Sequence, residues 1–456
     1  MANFVLSTHM TNGDVLPFLR IASALVKRGH QATLVTHGVF EPMAAKAGIG
    51  FVALDEPEEY AGIMKDLEMW KDPDMHQTYE NKYYSIDKFM KEYTILKELC
   101  SREDSVLICK ERDSYVAMMV SEALHVPIVT VVLAPSYATQ LQVWKQMEAD
   151  ITAIDRINDF RKRIGLPPIS GLAGWMGTVK KHIGFWHESF DAALDLPDWA
   201  IPIETVGFPL ADSAEYETLP EDLTTFIQER EPPLLITGGT GKMIKPEFYW
   251  SAIEACKWMK RRTILVTRHE EFVHCELPDY IRWYKILPLA GVYPLVSGVI
   301  NHGGIGTVSA AMFAGTPQLI LGADTDRPDN GLRVKNMGVG DYLPPLYWQP
   351  QLVAERVEGI LTSQTKARCV RLAEQLSRHD TMKTACEEIE TLIDQPAYAI
   401  SSETIRADYE QAERMRDHTA AQVKASTEER DEQLYDEKRA ALKKLLLKRK
   451  LDKGSV

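Results

Sequence analysis

One stretch of the chain combines a histidine and several glycines in the arrangement of an anion site. An apolar run ends at His302, and a turn containing Gly304 and Gly306 then leads into a helix with small residues at Thr307. Glycines let backbone N–H groups approach an anion, and the dipole of a helix N-terminus favours negative charge there. The imidazole adds a side-chain donor. The stretch predicts a bound phosphate, whereas the histidine alone would indicate an ordinary residue at a strand end.

A second set of reactive side chains lies in the first loop, residues 8–14. His9 and Asp14 are both titratable, and either could act as a general base. The loop follows the first predicted strand, and open α/β sheets bind ligands at such strand ends. The alternative is that Asp14 caps the following helix, because aspartate is a favoured N-cap residue. A GxGxxG fingerprint is missing here, which argues against a nicotinamide or flavin site.

The elements that would position these residues alternate between strands and helices. Helical spacing of apolar residues predicts a helix over 16–28, with Pro17 in its first turn and Gly29 as its stop. In the first half, buried strands are predicted over the ranges 4–7, 31–36, 50–54, 105–109 and 128–133. Strand–helix–strand units of this length form parallel sheets, so the first half is predicted to be a doubly wound α/β domain.

A proline-rich crossing over 197–233 separates this half from a second α/β pattern. There a strand over 234–237 ends in the glycine turn 238–241, and a helix over 246–260 and a strand over 263–267 follow. The turn is a second candidate for phosphate contact, although glycines also mark plain turns.

Length, charge and cysteine content limit the kinds of protein that this sequence can encode. The 456 residues exceed one core, and a formal net charge of −13 argues against general binding to nucleic acid. The six cysteines are scattered without a CxxC pair, which favours reduced thiols and a cytoplasmic protein. Neither a signal peptide nor an 18-residue apolar run is present, so we expect no transmembrane helix.

The second half carries four motifs that together resemble one enzyme family. They are HGGIGT at 302–307, GTPQ at 315–318, DRPDNG at 326–331 and VKNMGVG at 334–340. This combination resembles the C-terminal signature of the GT-B nucleotide-sugar glycosyltransferases. The segment TNGDVLPF at 11–18 is similar to the GDVxPF form of sterol and glycopeptide-antibiotic glycosyltransferases. The resemblance spans residues 3–395.

The resemblance implies two Rossmann-like α/β domains facing across a cleft, followed by a helical C-terminal tail. The expected segments are an acceptor-binding domain over 1–210, a linker over 211–232, a donor-binding domain over 233–395 and a charged helical or disordered tail over 396–456.

The resemblance also implies roles for individual residues in an inverting transfer of a hexose from a UDP- or TDP-sugar, with UDP favoured. Asp14 would be the base that deprotonates the acceptor hydroxyl, and His9 is the alternative. No metal and no further cofactor are expected, since backbone groups and His302 can stabilise the departing phosphates. The donor would be bound by Thr240, Gly239, His302, Gly304, Gly306, Thr307, Asp326, Arg327 and Asn330.

One residue departs from the family pattern. Arg327 stands where the family has glutamine, so it could favour a carboxylate on the sugar or simply turn outward. The identity of the sugar is therefore left open. Asp324 and Asp326 also form a DxD pair of the kind that binds metals, but a plain loop with a cap is the favoured interpretation.

The acceptor is expected to be an apolar small molecule such as a natural product, polyketide or sterol-like lipid. Stretches 60–99 and 137–190 are rich in aromatic residues and methionine, which either pack as core or line an apolar pocket. The leucine-rich basic segment 438–453 is either a solvated helix or an amphipathic helix for a membrane surface or for self-association. A nucleotide-sugar epimerase and a catalytically silent binding protein of the same fold are the alternative functions.

Overall fold

Two parallel β-sheets, one in each half of the chain, organise the protein. The computed structural model describes residues 1–67, 69, 72, 74–111, 114–139, 151–194, 201–209, 218–239, 244–273 and 275–415. All recorded strand pairs in both sheets are parallel. The predicted fold class, α/β with two doubly wound sheets, is confirmed.

The first sheet has the strand order β3-β2-β1-β4-β5-β6-β7. Its central strands β1 and β4 are mostly apolar and are buried along their whole length, as expected for a parallel sheet covered on both faces. The chain order reverses between β1 and β4, which makes this position the topological switch point. The strands are β1 (Asn3–Ser7), β2 (Gln31–Thr36), β3 (Gly50–Ala53), β4 (Ser105–Lys110), β5 (Ile128–Val132), β6 (His182–Gly184) and β7 (Glu204–Thr205).

Helices cover this sheet and connect its strands. They are α1 (Asn12–Lys27), α2 (Glu41–Ala47), α3 (Pro57–Lys65), α4 (His76–Tyr83), α5 (Ile86–Leu99), α6 (Tyr115–Leu124), α7 (Ile151–Arg163), α8 (Leu172–Met176) and α9 (Glu188–Asp191). Helix α1 buries Phe18, Ile21 and Leu25 against the strands, so the sheet fixes the helix that follows the first loop.

The second sheet repeats the same plan with the order β10-β9-β8-β11-β12-β13 and a switch point between β8 and β11. Its strands are β8 (Leu234–Thr237), β9 (Thr263–Val266), β10 (Ile281–Tyr284), β11 (Gly298–Asn301), β12 (Gln318–Leu321) and β13 (Gly340–Leu343). Its helices are α10 (Glu221–Gln228), α11 (Pro246–Met259), α12 (Leu289–Val292), α13 (Ile305–Phe313), α14 (Arg327–Asn336), α15 (Pro350–Ile360), α16 (Ser363–Leu376) and α17 (Thr381–Glu390).

The start of α1 differs from the sequence prediction. The helix begins at Asn12 rather than at residue 16, so Pro17 lies inside it and not in its first turn. The side chain of Asp14 accepts a hydrogen bond from the N-cap N–H of Thr11, which stabilises the additional turn.

The chain returns to the first half near its end. Helix α17 packs on α1, where Arg28 Nε and Nη2 donate to the two carboxylate oxygens of Glu390 at 2.6 and 2.7 Å. Before that helix, Thr381 Oγ1 donates to the carbonyl oxygen of Phe208 at 2.9 Å. Helix α17 therefore belongs to the expected donor-binding segment 233–395 by its position in the chain, but it packs with the first sheet.

Residues 402–415 are helical, and Ile400 and Ile405 are buried. The hydroxyl of Ser402 donates to Glu122 of α6 at 2.6 Å, so the first part of the predicted tail packs on the first half. The basic segment 438–453 lies outside the described residues. Within the described part of the chain, no helix combines the length and apolar character needed to span a membrane.

Candidate functional site

The ring of His302 lies between two glycines at the switch point of the second sheet. A Cβ atom on Gly304 would lie 2.5 Å from His302 Nε2, and one on Gly239 would lie 2.8 Å from His302 Cε1. Gly239 also has a φ of +77°, which favours glycine. The two glycine turns, one after β8 and one after β11, thus leave the space that the imidazole occupies.

His302 is a neutral imidazole in this setting. Burial, with the nearby positive charge of Arg327, lowers its pKa to about 3. Its Nδ1 atom is buried and has no hydrogen-bond partner among the described residues. A neutral ring offers one N–H donor and one acceptor, so it can donate one hydrogen bond to an anion.

Buried amides hold the turn that follows His302. Asn301 Oδ1 accepts from the N–H of Gly303 at 2.8 Å, and Asn301 Nδ2 donates to Gln318 Oε1 at 2.9 Å. Asn330, which is fully buried, donates from Nδ2 to the carbonyl oxygen of Gly303 at 2.9 Å. These bonds fix the backbone of the turn from behind. Because Asn330 has no exposed surface, we infer that it acts on a donor through the turn rather than by direct contact.

Asp326 and Arg327 lie beside the same turn. Asp326 is the N-cap residue of α14 and accepts from Asn330 Nδ2 at 2.8 Å and from Thr325 Oγ1 at 3.0 Å. The backbone of Arg327 packs so closely on Gly303 that a Cβ there would lie 3.0 Å from the Arg327 carbonyl oxygen. Burial lowers the pKa of Arg327, against the raising effect of Asp326 and Asp324. The guanidinium group is thus partly buried beside His302.

The remaining donor residues have different exposure. Gly306, in the first turn of α13, is exposed and faces open space, and Thr307 is half-buried in the same turn. Thr240 lies outside the described residues. Among the described residues, no three histidine, cysteine, aspartate or glutamate side chains converge in the manner of metal ligands.

Asp14 lies at the switch point of the first sheet. Its Oδ2 accepts hydrogen bonds from Thr11 N at 2.9 Å and Thr11 Oγ1 at 2.8 Å, and its Oδ1 accepts from Lys110 Nζ at 3.0 Å. Burial raises the pKa of this carboxyl, but the Lys110 charge and these hydrogen bonds outweigh burial and hold it below its usual value. The alternative interpretation, in which Asp14 is the N-cap residue, is wrong because Thr11 takes that position; Asp14 is the third residue of α1 and accepts from the N-cap N–H instead. This hydrogen bond favours the ionised carboxylate that a base requires.

His9 is bound to a buried glutamate. Its Nε2 lies 3.1 Å from Glu92 Oε1, which also accepts from Ser7 Oγ at 3.0 Å. The rest of the loop is held by His37, whose Nε2 accepts from the N–H of Met10 at 3.0 Å. The first loop is thus anchored at both of its candidate bases.

Sequence reasoning missed Lys110 and Glu92. Lys110 ends the apolar strand SVLICK, and a charged residue at the carboxyl end of a buried parallel strand is a signal that could have been used. Glu92 is buried in the amphipathic helix α5. The spacing of apolar residues in the sequence does not show that this glutamate is buried rather than exposed.

The two switch points bring together residues from distant parts of the chain. Ser7 of β1 pairs with Cys109 of β4, which places the first loop beside Lys110. Asn301 of β11 pairs with Thr237 of β8, which places His302 beside the glycine turn after β8. Each sheet therefore presents its candidate groups where open α/β sheets bind ligands.

The aromatic stretches divide between the two interpretations. Trp175 and Trp186 are buried in the core, which confirms packing for them. A separate apolar cluster of Ile63, Leu67, Tyr79 and Tyr83 contacts Met10 of the first loop. The four members are themselves buried, and the partly buried Met64, Met69 and Tyr84 pack against them beside Met10. Trp70, Trp144 and Met147 lie outside the described residues.

Two family models match the chain. The glycosyltransferase family 28 N-terminal domain matches residues 4–143, and the C-terminal domain of the erythromycin biosynthesis protein CIII-like family matches residues 262–394. Together the two segments cover more than half of the chain.

Curated relatives span both segments. The chain is 25% identical over 400 residues to sterol 3-beta-glucosyltransferase UGT80A2 of Arabidopsis thaliana, an alignment covering 81% of this chain and 62% of that protein. It is 24% identical over 416 residues to O-mycaminosyltylonolide 6-deoxyallosyltransferase of Streptomyces fradiae, covering 84% and 96%. The chain therefore spans under two thirds of the length of the first of these relatives and nearly all of the second.

Solved structures share the fold across both sheets. The calicheamicin glycosyltransferase CalG4 superposes with a TM-score of 0.62 at 18% identity, covering 86% of this chain and 99% of that one. UGT89C1 of Arabidopsis thaliana gives a TM-score of 0.63 at 13% identity, covering 86% and 100%. With a family 28 N-terminal segment, a CIII-like C-terminal segment and this fold, the chain belongs to the GT-B nucleotide-sugar glycosyltransferases.

Proposed function

We propose that the protein is an inverting, metal-independent glycosyltransferase that moves a sugar from a nucleoside diphosphate to a hydroxyl group of an apolar small molecule. The observation that supports this most directly is the neutral His302 ring between Gly239 and Gly304, with its Nδ1 unbonded. The activity rests on this geometry together with the family.

The donor side of the proposal follows from the charge of the leaving group. A departing nucleoside diphosphate gains negative charge as the bond from C1 to its oxygen breaks. The turn 302–306 and the N-terminus of α13 supply backbone N–H groups and a favourable dipole, and His302 supplies a side-chain donor. The partly buried Arg327 adds a positive charge beside them, so a metal ion is not required for charge balance.

The acceptor side requires a base. As the acceptor oxygen forms its bond to C1, its O–H bond breaks, and the proton passes to a carboxylate oxygen of Asp14. The electron pair of the broken C1–O bond leaves with the diphosphate. A single displacement of this kind inverts C1. His9, which is bound to Glu92, is the alternative base.

The acceptor class follows from the first loop and from the relatives. The apolar cluster of residues 63, 67, 79 and 83 contacts Met10, four residues before Asp14. Two relatives are named for a sterol and for a tylonolide, both large apolar molecules with hydroxyl groups. We therefore propose a sterol-like or macrolide-like acceptor.

The donor sugar can be tested through Arg327, which stands where the family has glutamine. The experiment is a thermal-shift screen with UDP- and TDP-hexoses and a UDP-uronic acid, because a tightly bound donor raises the apparent melting temperature. Arg327→Gln is measured beside the natural chain. If Arg327 binds a sugar carboxylate, the variant loses affinity for the uronic acid alone; if Arg327 acts on the diphosphate, affinity for every donor falls.

The activity is tested by release of nucleoside diphosphate with and without sterol and macrolide acceptors, in the presence and absence of EDTA. Acceptor-dependent release that EDTA leaves unchanged, with an inverted anomeric carbon by NMR, supports the proposal. Conversion of the sugar without an acceptor would identify an epimerase, and no release above background would identify a binding protein. A retained configuration or loss of activity in EDTA would refute the mechanism.

A further inference from the structure

Asp14 makes a set of contacts that leaves one defined position for a substrate. A carboxylate has two oxygens with about four acceptor sites. Oδ2 already accepts two hydrogen bonds, both from Thr11, and Oδ1 accepts one from Lys110. The remaining acceptor site is therefore on Oδ1, beside the Lys110 ammonium group.

Lys110 is largely buried behind Asp14. Its side chain is 7% exposed, whereas that of Asp14 is 25% exposed, so the carboxylate faces the solvent-accessible side and the ammonium lies behind it. Lys110 is the last residue of β4, and β4 pairs directly with β1. The pairing of these two strands places Lys110 beside the first loop, and helix α1, which follows that loop, carries Asp14 within 3.0 Å of Lys110 Nζ.

We propose that Lys110 is a positioning residue for Asp14: its ammonium group keeps the half-buried carboxylate ionised and occupies one site on Oδ1, so that the other site receives the acceptor hydroxyl. This inference rests on the proposed transferase function, since it assigns Asp14 as the base.

The half-buried Asp14 carboxylate needs a nearby cation to stay ionised. Burial of a carboxylate favours its protonated form, which cannot accept the proton of the acceptor. A nearby ammonium group reverses that preference. Other titratable groups lie on the neighbouring elements. Tyr60 on α3 interacts with Asp14 electrostatically, and His37 after β2 bonds to Met10 of the first loop and to Asp55 after β3. His9 of the same loop is bound to Glu92 on α5, and Glu111 follows Lys110 in the chain.

These neighbouring groups are not expected to replace Lys110 in keeping Asp14 ionised. The pKa of Tyr60 rises to about 12 through burial and the nearby charges of Asp14 and Asp55, so Tyr60 stays neutral in the working range. Asp55 is hydrogen bonded to His37 Nδ1 at 2.6 Å. Lys110 is the cation in direct contact with Asp14, so its removal is expected to dominate the change.

The experiment compares Lys110→Met, which removes the charge, with Lys110→Arg, which keeps it, in the full chain. Lys181→Met is the matched control, because Lys181 is also a largely buried lysine (11% exposed) paired with a carboxylate, here Glu388 at 2.7 Å. Two readouts are taken: the pH profile of transfer, and the titration of the Asp14 carboxyl by 13C NMR, assigned with Asp14→Asn.

The acid limb of the Lys110→Met profile and the Asp14 titration are expected to move to higher pH by about one unit or more, and Lys110→Arg is expected to keep both near their natural positions. Unchanged positions with activity lost would overturn the proposal and leave Lys110 a packing residue. If Lys110→Met does not fold, the natural chain still decides, because an Asp14 carboxyl that titrates in the ordinary range or above overturns it.

The two proposals fail separately in this design. If the natural chain transfers no sugar, the transferase proposal fails, and the NMR titration still reports whether Lys110 keeps Asp14 ionised. If transfer proceeds but Lys110→Met leaves the profile unmoved, only the positioning role fails.

Discussion

The side-chain amide of Asn330 donates a hydrogen bond to the carbonyl oxygen of Gly303, 2.9 Å away, and ties the first turn of α14 to the glycine turn. The same nitrogen donates to Asp326 at 2.8 Å. One buried nitrogen thus connects the residue expected to hold the sugar with the turn expected to hold the phosphates.

Replacement of Asn330 by alanine is expected to lower the free energy of unfolding by about 2 kcal/mol, because buried groups on Gly303 and Asp326 lose their partner. Donor affinity should fall with it. Asn336→Ala is the matched control in the same helix, since the hydrogen bond of its side chain to the carbonyl oxygen of Ala193 lies at the surface. Chemical denaturation and donor titration measure both effects. Equal losses in the two variants would contradict this role of Asn330.

Gly304→Ala tests the space around His302. The backbone of Gly304 has φ −63° and ψ 135°, which alanine adopts without strain, so the effect is steric: the new Cβ would lie 2.5 Å from His302 Nε2. Displacement of the ring is expected to weaken donor binding at least about tenfold, equivalent to about 1.4 kcal/mol. Gly359→Ala is the control, because nothing lies within 4 Å of its added Cβ. Calorimetric titration with the donor measures the affinity of both variants. Unchanged affinity in Gly304→Ala would show that His302 does not contact the donor.

Asp14→Asn is expected to slow transfer strongly while donor binding persists. The amide oxygen can still accept from Thr11, but it cannot take a proton, so the rate should fall by about 10² or more. Loss of the negative charge also removes the ion pair between Asp14 and Lys110, which should lower the melting temperature. Asp104→Asn, which breaks an exposed pair with Arg102, is the control. If Asp14→Asn retained full transfer, His9 would become the base to test.

Stability is expected to decrease as the pH falls from about 6.5 to about 4. Burial lowers the pKa of His182 from 6.5 to about 4, and its Nδ1 lies 2.6 Å from Thr130 Oγ1. In this window the unfolded chain binds a proton that the folded chain does not, so the contribution present above pH 6.5 is lost progressively, by about 2 kcal/mol at pH 5. Urea denaturation of His182→Asn should give a shallower pH dependence than the natural chain, and His125→Asn at an exposed position should not.

The sequence predicted the parts of the site that are contiguous. His302 and its glycines occupy one short segment, so their pattern indicates a phosphate turn without knowledge of the fold. The same holds for Asp326 and Arg327, which follow the next strand of that sheet.

Contacts between distant segments could not be predicted in this way. Lys110 lies 96 residues from Asp14, and only the pairing of β4 with β1 makes them neighbours. The start of α1 was missed for a local reason: the capping box here has aspartate at its fourth position, whereas the sequence signature expects glutamate or glutamine. The placement of Arg327 beside His302, rather than outward, also depends on the packing of its backbone against the glycine turn.

The packing of α17 on α1 makes the first half of the molecule dependent on the end of the chain. The apolar side chains of Cys386, Ile389 and Leu392 belong to the same core as Phe18 and Ile21 of the helix that holds Asp14. A fragment cut after residue 209 would lack this cover. The two pieces should therefore complement each other when they are supplied as separate chains. A peptide of residues 381–408, added in trans, is expected to pack on α1 and to help the amino-terminal fragment to fold.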